Sequence, residues 1–229
     1  MRYIKDNQYV GIRRKCGCCE EYFYISHNDI DDAIYYDKKT YHSSCFINMC
    51  NKRSQMKRED VSQKWTWVLN HLDQIKKESY KHLSLAITKE NVFEFIKDSY
   101  DVTIVPTTVW QKLSDIYNGT FKSMSVGIPP EHLLDMWKRK IDMLNGIADR
   151  NKTKGFVMSS DKRINYDLSI LVNKYDSYLR WLEKQRIIEA EKEIEKSENI
   201  VGKSIGYTSN KPEKNDPDDI SALVDDIFG

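Results

Sequence analysis

From Glu59 onward apolar residues return at helical spacing, with polar residues filling the turns between them. Over Glu59–Lys77 the recurring set is Val61, Trp65, Val68, Leu69, Leu72 and Ile75, one face of an amphipathic helix. Trp65 and Trp67 are two apart and cannot share that face, so one indole is left toward solvent. Thr88 stands at an N-cap position for a helix over Lys89–Tyr100, with Asn91 three residues later and Val92, Phe93, Phe95, Ile96 and Tyr100 facing a core. Asp101–Val105 reads as extended. Pro106 opens the next helix, Thr107 or Thr108 caps it, Trp110, Leu113, Ile116 and Tyr117 form its stripe, and Gly119 stops it. Phe121–Ile128 is a loop or short strand. Pro129-Pro130-Glu131 then opens a long helix carrying Leu133, Leu134, Trp137, Ile141, Leu144 and Ile147. After a polar break over Asn151–Ser160, one helix is expected from Asn165 to about Ser197. Its seam of Leu168, Leu171, Tyr175, Tyr178 and Leu182 follows 3-4-3-4 spacing, so residues 165–185 are a bundle core or a homodimer contact.

The first 50 residues follow a different pattern. Tyr9–Lys15 and Glu20–Ile25 are short and rich in β-formers, and with Ala33–Tyr36 they predict hairpins. A helix is expected from about Ser43, carrying Cys45, Phe46 and Met49.

All five cysteines lie here: Cys16, Cys18, Cys19, Cys45 and Cys50. An odd, clustered set with no signal peptide before it argues against a disulfide framework and for metal. Cys16 and Cys19 form a C-x2-C pair, and His42 and Cys45 form an H-x2-C pair. Two such pairs make a tetrahedral Cys3His site for Zn2+. Gly17 eases the turn that brings two thiolates onto one ion. Cys18 competes with Cys19 for the second position. Cys50 is read as a small buried apolar residue.

The run Ala33–Phe46, ending Tyr41-His42-Ser43-Ser44-Cys45-Phe46, resembles the end of a treble-clef zinc knuckle. It is similar to the first zinc module of a LIM domain and to a poly(ADP-ribose) polymerase-type zinc finger. The resemblance spans about residues 10–55. It implies the ligands Cys16, Cys19, His42 and Cys45, with Tyr41 and Phe46 as packing residues. LIM domains bind proteins and the polymerase-type fingers bind damaged DNA, so the resemblance implies zinc and leaves the partner open. The second LIM zinc module is absent, since position 48 is Asn48.

The fold class expected is α+β, mostly α. It comprises a treble-clef zinc module over 1–55, a helical domain over 56–160, a long helix over 161–200 and a disordered acidic tail over 201–229. Scarce Gly (9) and Pro (5) disfavour an all-β sandwich. No run approaches the length of a membrane span, and a cytoplasmic location is expected.

Net charge is +1, but it is unevenly placed. Residues 1–89 carry 16 basic against 11 acidic side chains, and residues 190–229 carry 5 against 10. Arg13, Arg14, Lys15, Lys52, Arg53, Lys57 and Arg58 flank the zinc ligands and are candidate phosphate contacts. The tail spaces Ile220, Leu223, Ile227 and Phe228 among acids, a candidate peptide for a partner protein. It is similar to the acidic, Phe-ending tails of bacterial single-stranded-DNA-binding proteins, except that Gly229 follows Phe228. There is no Walker A, G-x-G-x-x-G, G-x-S-x-G or H-E-x-x-H motif, and Asn70-His71 lacks the ββα context of an HNH nuclease. The expectation is therefore a non-enzymatic zinc-finger protein. It acts on nucleic acid, DNA above all, as an accessory factor in replication, repair or transcription. The alternative is a protein-interaction adaptor.

Overall fold

The computed structural model describes residues 11–122 and 124–204. The expected acidic tail, with Ile220, Leu223, Ile227 and Phe228, lies outside the described residues. The chain begins with strands β1 (Ile12–Lys15) and β2 (Tyr22–Ile25), paired antiparallel with Ile12 opposite Ile25 and Lys15 opposite Tyr22. A 3-10 turn (Ile30–Asp32) leads to a second antiparallel pair, β3 (Ala33–Tyr36) and β4 (Lys39–His42), and then to helix α1 (Ser43–Ser54). Asp37 and Lys38 join β3 to β4 with φ of 48° and 62°. Two consecutive positive φ angles make the tight turn whose twist suits a hairpin. Asp37 suits the first position of such a turn, but Lys38 stands where Gly is usual, so β4 has little signal in the sequence.

The rest is helical: α2 (Glu59–Asn70), α3 (Leu72–Tyr100), α4 (Thr107–Asn118), α5 (Pro130–Thr153), α6 (Ser160–Asn173) and α7 (Tyr175–Ser204). The architecture is α+β and mostly α, as expected. Around α2 and α3 the helix boundaries differ from the sequence reading. The helix expected over 59–77 breaks at His71, whose φ of −110° and ψ of 20° leave the helical region. The His71 Nδ1–H donates to the Trp67 carbonyl at 2.8 Å and holds the break. In turn, α3 runs unbroken through Thr88. That hydroxyl donates to the Ser84 carbonyl (2.9 Å) from inside the helix and does not cap it. Residues 76–88 look weakly amphipathic because the buried face of α3 holds Ser79 among Ile75, Leu83 and Ile87. Ser79 has a polar partner there: its Oγ accepts the Tyr35 N–H at 2.7 Å.

Among the described residues, the hairpins and helices pack into small cores. One gathers Cys16, Ile34, Tyr41, Phe46, Cys50, Trp65, Val68 and Ile75, and so joins both hairpins to α1, α2 and the start of α3. Another gathers Ile12, Ile25, Ile30, Ala33, Leu83 and Ile87. Farther on, Phe95, Tyr100 and Trp137 pack edge to face, and the buried Trp137 indole donates to the Tyr100 hydroxyl at 2.8 Å. Trp110 departs from its expected place in the stripe of α4: it is 52% exposed and lies flat on Phe93, while Val109, Leu113 and Ile116 fill the core. The loop after α4 is drawn tight, with the Ile128 N–H on the Ile116 carbonyl at 3.0 Å.

The described residues up to Asn165 form one compact unit, and those from Tyr166 a second. The single helix expected from Asn165 to Ser197 is two helices. Lys174 separates them, its N–H shared between the carbonyls of Ile170 and Leu171. Of the heptad seam, Leu168, Leu171 and Tyr178 are buried within one chain. No helix among the described residues is long and apolar enough to cross a membrane.

Candidate metal centre

Cys16, Cys19, His42 and Cys45 converge, with their ligand atoms all within 4.8 Å of one another. His42 Nδ1 lies 3.4 Å from Cys19 Sγ and 3.7 Å from Cys45 Sγ. A tetrahedral ion with ordinary metal–sulfur and metal–nitrogen bond lengths needs edges of about 3.5–3.8 Å. The four donors fit a metal ion.

Each donor is placed by a local feature. Cys16 follows β1, and its turn is closed by the Cys16 N–H on the Glu21 carbonyl (2.8 Å) and the Glu20 N–H on the Cys16 carbonyl (3.0 Å). The Gly17 N–H then donates to the Thr40 carbonyl at 2.8 Å, which ties the knuckle to β4. His42 is the last residue of β4 and the N-cap of α1, and Cys45 sits in the first turn of α1. Strand and helix thus deliver two ligands three residues apart. Gly17 owes its place to close packing: a Cβ there would lie 2.7 Å from Tyr41 Cε1.

Electrostatics favour an anionic sulfur at the knuckle. Burial opposes ionisation of Cys16, but the backbone amides of Cys19, Cys18 and His42 aim at it and hold the thiol at about 6. Cys45 moves the other way, to about 11, through burial and the neighbouring Cys19 and Cys16 sulfurs. A bound metal ion displaces that proton.

The structure separates the two cysteines that the spacing left open. Cys19 belongs to the cluster, while Cys18 is exposed and outside it. Cys50 is fully buried in the first core, and burial pushes its thiol up to about 11, as suits an apolar filler. Tyr41 and Phe46 are buried with ring centroids 5.3 Å apart.

All seven flanking basic residues are exposed. Arg13 lies over the Tyr22 ring at 4.2 Å and Arg53 over Trp65 at 4.9 Å. Lys15 pairs with Glu20 and Arg58 with Asp60, each at 3.0 Å. Arg14 and Lys15 line a cleft of about 470 Å³ with Lys38, Lys39, Tyr35 and His82. Lys38, Lys39 and His82 escaped the sequence reading. The two lysines reach the cleft only because the unannounced β3–β4 turn carries them there, and His82 comes from a distant helix. Phe23 also escaped: its ring sits 4.0 Å from that of His42 and covers the metal ligand.

No protein-family model matches this chain, and no curated protein and no solved structure matches it.

Proposed function

We propose that this chain is a non-enzymatic zinc protein that binds DNA as an accessory factor in replication, repair or transcription. One observation carries the reading: a Cys3His cluster whose two ligand pairs are bracketed by exposed cationic side chains. Three thiolates and an imidazole form a soft tetrahedral donor set that suits zinc. Zinc here is structural, since four protein donors leave no open position for chemistry. The sequence likeness to polymerase-type fingers favours a DNA partner.

The cations act as phosphate contacts. Each one that neutralises a phosphate releases a condensed counterion, so affinity falls steeply as salt rises. Lys15 and Arg58 exchange an intramolecular carboxylate for a phosphate. Arg13 and Arg53, already stacked on rings, are pre-ordered for it.

The adaptor reading is the alternative. The Lys15–Glu20 and Arg58–Asp60 pairs favour it, because they soften the positive field. The likeness to a LIM module points the same way. Anisotropy titration of the zinc-loaded full chain with labelled DNA at 50 and 200 mM salt separates the two. Binding that weakens by an order of magnitude or more across that range supports the DNA reading. No binding at low salt to single-stranded, nicked or duplex DNA favours the adaptor.

A further inference from the structure

We infer that the outer face of the β1–β2 hairpin is a stacking platform for single-stranded DNA, an inference that rests on the DNA-binding reading above. Strand alternation sorts the hairpin into two faces. Register places Arg13 opposite Tyr24 and Lys15 opposite Tyr22 on one face, with Ile12, Arg14, Phe23 and Ile25 on the other. The second face is the packed one: Ile12 and Ile25 are buried, and Phe23 covers His42. On the first face Tyr22 is 61% exposed and Tyr24 53% exposed.

A single exposed tyrosine calls for no explanation. Two at alternate positions of a four-residue strand, each opposite a cation, form a continuous aromatic and cationic surface. Arg13 already stacks its guanidinium on Tyr22, 4.2 Å from the ring centroid. Aromatic faces beside cations are the means by which proteins hold unpaired bases without reading sequence. The spacing selects against a duplex. Alternate residues of a strand are about 7 Å apart, roughly twice the rise between stacked bases. Bases lying on both rings must therefore be splayed apart, which paired and stacked bases cannot do.

The phosphates also have a path. Arg14, Lys38 and Lys39 line the adjoining cleft of about 470 Å³. Glu20 lines it too and engages Lys15, so the cationic excess rests on Arg13, Arg14, Lys38 and Lys39 against Asp37 and Glu21. Because Phe23 sits on His42, the platform is held in place by the metal centre.

The test uses the zinc-loaded full chain and three labelled probes of equal length: oligo(dT), oligo(U) and a duplex. Tyr22→Ala/Tyr24→Ala is compared with Tyr22→Phe/Tyr24→Phe, with zinc content and circular dichroism confirming that both variants fold. The expected result is oligo(dT) bound more tightly than either other probe. The alanine pair should weaken that binding by about tenfold or more with the salt slope unchanged, and the phenylalanine pair should restore it. Wild-type protein that binds no DNA overturns the DNA-binding reading itself. Wild-type protein that binds DNA while the alanine pair binds equally well overturns the platform alone. Tighter binding of duplex or of oligo(U) overturns the assignment to single-stranded DNA.

Discussion

The imidazole of His82 lies parallel to the ring of Tyr35, with 3.6 Å between centroids and 10° between planes. One turn earlier on the same helix, Ser79 accepts the N–H of that same tyrosine. Strand β3 is therefore held at one residue by a hydrogen bond and a ring stack, both supplied by α3. The candidate metal centre and the long helix are coupled through it.

Removing the Ser79 hydroxyl leaves the Tyr35 N–H without this acceptor in a site where Ser79 is 2% exposed. Ser79→Ala should lower unfolding stability by about 1–3 kcal/mol, measured by urea titration at saturating zinc. An unchanged midpoint would show that water replaces the serine.

His82 titrates below its ordinary value because the groups packed around its ring partly desolvate it, with Arg14 and Lys89 adding repulsion. A depressed histidine binds its proton less readily folded than unfolded. Stability is therefore full above the unfolded value of about 6.5 and falls as pH drops from there through the folded value. His27, depressed by burial alone, adds to the same slope. His82→Phe keeps a ring on Tyr35 and should flatten the loss of stability between about pH 6.5 and 5. An identical slope in the variant would remove His82 from the account.

Cys19→Ser and Cys45→Ser should each lose bound metal, and Cys18→Ser should keep it, because Cys19 and Cys45 belong to the cluster and Cys18 does not. Metal analysis of purified protein reads this directly. Loss of the metal should also melt the hairpin region, since a site closed by four protein donors contributes its binding energy to folding. Equal zinc content in Cys18→Ser and Cys19→Ser would mean that the knuckle exchanges ligands.

Gly17→Ala places a Cβ 2.7 Å from the Tyr41 ring, which is itself packed on Phe46. The expected cost is about 1–3 kcal/mol. Tyr41→Leu in the same background should recover part of it, measured as the thermal midpoint of the zinc-bound protein.

Asp101 ends α3 in the left-handed region, with φ of 50°. Asp101→Gly should stabilise the protein by about 1 kcal/mol by removing that strain. A destabilised variant would show that the aspartate side chain has a compensating contact.

Much of the candidate site was legible in the sequence because its information is local. Ligand pairs three residues apart describe a turn and a helix start, and both formed as the spacing implied. The choice between Cys18 and Cys19 was not legible, since either thiol satisfies the count and only the closed turn brings Cys19 to the other three donors. Helix ends differ from the expectation where a side chain bonds back onto the preceding turn. Thr88 resembles a cap but bonds back to Ser84, and His71 looks like mid-helix but folds its ring onto Trp67 at a centroid distance of 4.2 Å.

The residue types at the candidate metal centre, the mostly helical composition and the apolar stripes follow from the sequence alone, because each rests on short-range periodicity or spacing. Tertiary packing alone put Ser79 on a buried face and left Tyr22 and Tyr24 exposed, stacked His82 on Tyr35, and brought Lys38 and Lys39 beside Arg14 in one cleft. Those outcomes depend on which surfaces meet, and residues 44 to 47 positions apart, as Tyr35 is from Ser79 and His82, carry no mutual signal until burial and a hydrogen bond join them.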